Sequence, residues 1–367
     1  MWCPAMSHRP LLIMAGGTGG HVYPALAVAD YLRAEGFPVL WLGTRNGLEY
    51  KVVPDKGYRL LTIDIWGVRG KTIGRWILAP ILLIRAIFQA VLILLRIKPA
   101  AALGMGGFAS APGGIAAWLL RIPLLIHEQN SVAGTANRLL LPMAKIVMQG
   151  FPGTFQQSHK VHSTGNPVRP EIITAAEKNY RTGFSHDGKF NLLILGGSQG
   201  AKTLNEIIPP ALSRMRDTID VSIWHQTGER HFPEVKALYE KLGGLIDIRI
   251  DAFINDMGKA YSWADLVLCR SGAMTIAELC VSGVASILVP YPFAIDDHQT
   301  VNARYLSDRG CALLIPESEL DDARLANSIC EIFNTPGRLL EMSTLTKQQA
   351  APWSTRDVAE LCMGFMR

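Results

Sequence analysis

Three things are scarce in this 367-residue chain: patterned cysteine, acidic charge in the first half, and unbroken apolar runs. Six cysteines occur (Cys3, Cys269, Cys280, Cys311, Cys330 and Cys362), none in a C-x-x-C spacing. They read as free thiols in a reducing compartment, not as a disulfide framework or zinc ligands. No carboxylate lies between Asp64 and Glu128, a gap that holds Arg69, Lys71, Arg75, Arg85, Arg96, Lys98 and Arg121. Residues 1–166 carry 16 Lys and Arg against 6 Asp and Glu; residues 167–367 carry 20 against 25. A basic half beside an acidic half points to an anionic partner, either a membrane surface or a nucleic acid. The basic stretch is interleaved with isoleucine and leucine and lacks spaced stacking aromatics, which argues against nucleic acid. No charged start followed by an apolar run precedes the first apolar strand candidate, so no signal peptide is expected.

The apolar stretch at residues 66–99 is interrupted. A spanning helix needs about 20 apolar residues with few charges, whereas Arg75, Arg85 and Arg96 cut this one, and Pro80 and Gln89 break it further. Two readings stay open. One is a long helix whose apolar face covers a sheet. The other is an exposed patch in which Trp76, Leu82 and Leu83 meet lipid while Arg75 and Arg85 meet anionic headgroups.

What is present is strand-and-helix alternation. The length suggests about two domains of roughly 150–200 residues, and a hydrophobic share of 49 % supplies two cores. Strands are expected at 11–14, 39–42, 60–63, 101–103, 124–126 and 146–148, then at 192–195, 221–224, 248–250, 266–269, 286–289 and 312–315. Helix-like segments separate them, which implies parallel sheets covered on both faces. Gly165-Asn166-Pro167-Val168-Arg169-Pro170 is turn chemistry and marks the domain boundary. Domains are therefore expected at 1–166 and 167–352, with the last helix, about 353–367, returning to the first.

Each half opens on an apolar strand running into glycines: Gly16-Gly17-Thr18-Gly19-Gly20-His21, then Gly196-Gly197-Ser198-Gln199-Gly200-Ala201. Glycine lets backbone N–H groups approach an anion, and a helix N-terminus adds partial positive charge. Glycine at a strand–helix junction can also be a purely steric need. A helix is read from Val22, with Pro24 in its first turn. Gly104-Met105-Gly106-Gly107-Phe108-Ala109 repeats the device and superficially matches a dinucleotide fingerprint. His127-Glu128-Gln129-Asn130 ends a strand where ligands bind in open α/β sheets, although Asn130 or Ser131 could simply cap the next helix. Ser271, before Gly272-Ala273, reads as an N-cap above another anion seat, with Glu278 two turns into the helix. Asp296-Asp297-His298 has metal-binding residue types but no aligned third ligand.

In their order these motifs, with Arg270-Ser271-Gly272-Ala273, resemble the MurG family over nearly the whole chain. The resemblance implies a glycosyltransferase B fold, two Rossmann-like domains facing across a cleft. It implies an inverting hexosyltransferase that needs no metal or other cofactor; the sequence has no Asp-x-Asp. N-acetylglucosamine would pass from UDP-N-acetylglucosamine to the 4-hydroxyl of undecaprenyl-diphospho-muramoylpentapeptide, at the cytoplasmic face of the bacterial inner membrane. That is the last cytoplasmic step of peptidoglycan precursor synthesis. It implies a donor site of Thr18, Gly19, Gly20, Asn130, Arg169, Ser198, Ile254, Ala273, Met274, Thr275, Ile276, Ala277, Glu278 and Gln299. Ile254 would line the uracil and Glu278 would hold the ribose. Gly16, Gly17, Gly104, Gly106 and Gly107 would form the acceptor-diphosphate loops. For the base that inversion needs, His21 is the candidate, since an imidazole in model peptides has a pKa near neutrality, with Glu128 as the other candidate. A UDP-sugar epimerase, a soluble glycosyltransferase of the same fold, or a non-catalytic sugar-nucleotide-binding membrane protein are the alternatives.

Overall fold

A computed structural model describes residues 9–65, 73–178, 190–197, 200–215, 218–241 and 247–366, without the side chains of 73–79 and 295. Ser198 and Gln199, and the side chains of Arg75 and Trp76, lie outside the described residues. The chain forms two compact units, Met1–Arg169 with Pro352–Arg367, and Pro170–Ala351.

The first unit alternates strand and helix: β1 (Leu11–Met14), α1 (Gly19–Ala34), β2 (Val39–Gly43), α2 (Glu49–Asp55), β3 (Arg59–Thr62), α3 (Ile73–Ile97), β4 (Ala101–Gly104), α4 (Ser110–Leu119), β5 (Leu124–Glu128), α5 (Thr135–Leu140), β6 (Ile146–Gln149) and β7 (Val161–Ser163). The strands pair in parallel in the order β3-β2-β1-β4-β5-β6-β7. Continuous apolar runs suit strands covered twice, and β1 shows why. Leu11 and Ile13 enter a core with α1, while Leu12 and Met14 enter another with Ala86, Ala90 and Leu94 of α3. Trp41, buried in β2, donates its indole N–H to the Ala15 carbonyl at 2.8 Å, so the largest core side chain leaves no polar atom stranded.

Helix α1 begins at Gly19, three residues before Val22, so Pro24 lies in its second turn, not its first. β7 was not foreseen: Val161-His162-Ser163 offers one buried apolar residue, too little for an apolar-run signal.

The second unit runs α6 (Pro170–Lys178), β8 (Phe190–Leu195), α7 (Lys202–Met215), β9 (Val221–Gln226), α8 (Phe232–Glu240), β10 (Asp247–Asp251), α9 (Met257–Trp263), β11 (Leu266–Cys269), α10 (Ala273–Ser282), β12 (Ala285–Leu288), α11 (His298–Ser307), β13 (Ala312–Leu314), α12 (Asp322–Asn334) and α13 (Arg338–Gln348). Its parallel sheet has the order β10-β9-β8-β11-β12-β13. Helix α14 (Ser354–Met363) belongs to the first unit, where Val358, Ala359 and Cys362 pack beside Ala25, Val28 and Leu32 of α1. Two Rossmann-like units built this way are the glycosyltransferase B architecture. In each sheet the strand order reverses beside its first strand, between β1 and β4 and between β8 and β11, and the carboxyl ends at such a point are where ligands bind.

Candidate functional site

Three loops of the first unit are laced together at the carboxyl ends of β1, β4 and β5. Met105 N donates to the Met14 carbonyl at 2.9 Å. The buried Ser110 hydroxyl lies 2.7 Å from both the Met14 and Gly106 carbonyls. Gly107 has φ +85°, and a Cβ there would overlap the Gly16 carbonyl. Gly106, at φ +97°, leaves room for the His21 ring: a Cβ would fall 2.5 Å from its Cδ2. Gly106 and Gly107 are therefore required by the 16–21 loop that they face. His21 Nδ1 lies 3.2 Å from the Gly16 carbonyl and 3.5 Å from Thr18 Oγ1. A carbonyl can only accept, so Nδ1 carries the proton and Nε2 carries the lone pair.

Beneath the first loop lies a residue that sequence reasoning missed. Glu49 is fully buried, and its carboxylate accepts from Gly17 N at 2.8 Å, Thr44 N at 2.9 Å and Thr44 Oγ1 at 2.7 Å. Cβ atoms at Gly16, Gly43 or Gly47 would all collide with it. The Gly17 N–H is thus committed within the protein. A single acid at the start of a helix reads as solvated, and only the glycines at 16, 43 and 47 hinted otherwise.

His127-Glu128-Gln129-Asn130 closes the third side. Glu128 is buried, and its two oxygens accept from Asn130 N, Asn130 Nδ2, Gly134 N and Asn137 Nδ2 at 2.8–3.3 Å. A carboxylate engaged in this way is an anchor: it fixes Asn130 and starts α5. That helix begins at Thr135, too far along for Asn130 or Ser131 to cap it. Gln129 Nε2 reaches both the Met105 carbonyl at 3.1 Å and His127 Nδ1 at 3.2 Å, and His127 Nε2 lies 2.9 Å from the Gly165 carbonyl. His127 is thereby a neutral imidazole protonated at Nε2, and burial holds its pKa below the usual value.

In the second unit Gly196 and Gly200 lean on the end of β9. Gly196 N donates to the Gln226 carbonyl at 3.0 Å, and a Cβ at Gly200 would overlap the Thr227 carbonyl. Asn205 Nδ2 donates to that carbonyl at 3.1 Å, while Asn205 Oδ1 receives His225 Nε2 at 3.1 Å; His225 Nδ1 accepts from the Tyr239 hydroxyl at 2.8 Å. Burial pushes the His225 pKa down to about 3.

The run Ala273-Met274-Thr275-Ile276-Ala277-Glu278 forms the first turns of α10, after β11. Gly272, not Ser271, is its N-cap; the Ser271 hydroxyl donates instead to the Gln299 carbonyl at 2.7 Å. Gln299 Oε1 accepts from Tyr291 N at 3.0 Å, so Gln299 is held against the start of α10. Ile254, in the loop after β10, is buried. Glu278 is nearly buried and receives the Tyr261 hydroxyl at 3.0 Å. Arg270 pairs with Glu317 and also donates to the Val289 and Pro290 carbonyls at 3.2 Å, tying the loops around α10 together. Arg169 is half-buried at the last position of the first unit's main segment. Among the described residues no group of three His, Cys, Asp or Glu is placed to hold a metal ion.

Helix α3 presents a surface. Ala86, Ala90 and Leu94 face the core, and the small side chains of the two alanines let the helix sit close. The opposite stripe, Ile81, Ile84, Phe88, Leu92 and Leu95, is more than half exposed at every position, as are Trp118 and Leu119 at the end of α4. Leu82 and Leu83 are half-buried, so the exposed stripe falls on their neighbours. Arg85 pairs with Asp64 at 2.8 Å. By length and composition alone, residues Pro80–Ile97 would suffice to cross a membrane; packing of the alanine stripe into the unit's core instead keeps the helix part of a folded domain.

The model of the glycosyltransferase family 28 N-terminal domain matches residues 11–149, and that of its C-terminal domain matches residues 191–356. A Nitrosococcus oceani protein named UDP-N-acetylglucosamine–N-acetylmuramyl-(pentapeptide) pyrophosphoryl-undecaprenol N-acetylglucosamine transferase is 50 % identical over 96 % of this chain and 98 % of its own. A Coxiella burnetii protein of the same name is 46 % identical over 97 % and 98 %. The crystal structure of Acinetobacter baumannii MurG superposes with a TM-score of 0.83 at 39 % identity, covering 97 % of this chain and 99 % of that one. On the laced glycine loops, the paired sheets and these full-length likenesses, the chain belongs to glycosyltransferase family 28 and, within it, to the MurG family.

Proposed function

We propose that this enzyme transfers N-acetylglucosamine from UDP-N-acetylglucosamine to the 4-hydroxyl of undecaprenyl-diphospho-muramoylpentapeptide, with inversion, forming lipid II. The observation that carries this is the 50 % identity across essentially the whole length of a relative named for that transfer. Two groups of side chains divide the work. In the second unit, the N–H groups at the start of α10 receive the donor diphosphate, Glu278 takes the ribose, Ile254 lines the uracil and Gln299 the sugar. Arg169, with those N–H groups, offsets the charge that develops as UDP leaves. Thr18, Gly19, Gly20 and Asn130 are the donor-binding residues assigned to the first unit. Gly104, Gly106 and Gly107, with Gly16 and Gly17 beside them, receive the acceptor diphosphate.

His21 is the general base. Its Nδ1 proton is directed at the Gly16 carbonyl, and Nε2 is the ring nitrogen that takes the proton of the attacking hydroxyl. Glu128 serves this chemistry indirectly, through the loop that carries Asn130.

The working site is the cytoplasmic face of the bacterial inner membrane, with the enzyme bound peripherally. The exposed stripe of α3 with Trp118 and Leu119 supports this, since a contiguous apolar surface flanked by Arg85, Arg96 and Lys98 suits anionic lipid. Labelled sugar transfer to a short-chain lipid-linked acceptor tests the activity. A disaccharide-lipid product is expected; turnover of the donor without such a product, as an epimerase would give, overturns it.

A further inference from the structure

Glu278 does not stand by itself in the second unit. The Tyr261 hydroxyl, at 1 % residue exposure, donates to its Oε2 at 3.0 Å from the neighbouring helix α9. That helix is fixed at its start. Asp256 caps it by accepting Lys259 N at 2.9 Å, and Gly258 lies so near α6 that a Cβ would fall 2.7 Å from the Glu171 carbonyl. A buried phenol that donates to a carboxylate makes a charge-assisted hydrogen bond, stronger than one to a neutral acceptor. A glutamate has three side-chain torsions to freeze on binding, and restoring that freedom is worth about tenfold in affinity.

We propose that Tyr261 is a positioning residue for nucleotide recognition: its hydroxyl holds the Glu278 carboxylate in the orientation that accepts a ribose 2′,3′-diol. This role rests on Glu278 being the ribose-binding group. It predicts that the hydroxyl matters only to ligands that carry the diol.

Calorimetric titration of UDP and 2′,3′-dideoxy-UDP against the wild type, Tyr261→Phe, Glu278→Ala and the double variant tests it, alongside KM and kcat for UDP-N-acetylglucosamine. The expected result is about a tenfold weaker Kd for UDP in Tyr261→Phe, with the dideoxy Kd unchanged and the double variant no weaker than Glu278→Ala. KM should rise by a similar factor while kcat stays within about twofold. An unchanged dideoxy Kd also shows that the variant is folded. If Tyr261→Phe weakens both nucleotides equally, or neither, while Glu278→Ala weakens UDP and leaves the dideoxy nucleotide unchanged, the positioning role is overturned and the ribose assignment stands. If Glu278→Ala weakens both equally, the ribose assignment falls, and the role of Tyr261 falls with it.

Discussion

The Glu49 carboxylate accepts the Gly17 N–H at 2.8 Å across 32 residues of chain, and so holds the first glycine loop from below. Glu49→Ala would leave the part-buried Gly17 N and the buried Thr44 N and Oγ1 without their acceptor. The expected cost is about 2–4 kcal/mol of stability. Because the loop carries His21, kcat/KM should fall further than the residual folded fraction explains. Urea unfolding and kinetics on the same preparation would show this; a variant as stable and as active as the wild type would remove Glu49 from the account.

Stability should depend on His225 in acid. An unfolded imidazole binds a proton below about pH 6.5, whereas burial delays this in the folded protein to about pH 3. Protons then favour the unfolded chain between those values. The contribution is fully present above the unfolded value and is lost as pH falls toward the folded one. The slope from this group is about 1.4 kcal/mol per pH unit within that window. In His225→Gln the slope of unfolding free energy between about pH 4 and pH 6 should be shallower by that amount. Equal slopes would mean the imidazole is protonated in the folded state.

Membrane attachment should follow the exposed stripe of α3. Burying each large apolar side chain is worth about 1.5–3 kcal/mol, so Ile84→Ser, Phe88→Ser and Leu92→Ser together should lower binding to anionic vesicles by at least ~100-fold. Added salt should weaken the wild type as the headgroup attraction is screened. Serines at Leu82 and Leu83, which are half-buried, should cost relatively more stability and less binding. Vesicle sedimentation that is indifferent to the stripe would place the contact elsewhere.

The parallel sheets were legible because their strands are short apolar runs ending in glycine or polar residues, as at Leu11–Met14 and Leu266–Cys269. β7 was not, since a three-residue edge strand buries a single valine side chain. The glycine loops were visible in sequence but their reasons were not. Gly106 is set by His21, Gly107 by the Gly16 carbonyl, and Gly16 and Gly43 by Glu49; these partners meet only in the folded sheet. Glu128 presents the same lesson in reverse. Its place at a strand end suggests chemistry, yet its four backbone and amide donors lie within nine residues and make it a local brace. The α3 stripe was displaced because an apolar run with Leu82 and Leu83 at its centre does not say which of two apolar faces the core will take. Alanines at 86 and 90 settle that, by close packing.

The most direct test is single-turnover transfer of labelled N-acetylglucosamine to the lipid-linked muramoylpentapeptide, with wild type and His21→Ala compared at saturating donor and acceptor. The wild type should form the β-linked disaccharide-lipid. His21→Ala should form the same product about 10²–10⁴-fold more slowly, with little change in either KM. Loss of the acid limb in its pH–rate profile should accompany this. Near-normal kcat in His21→Ala, or a wild type that consumes the donor without glycosylating the lipid, would contradict the account.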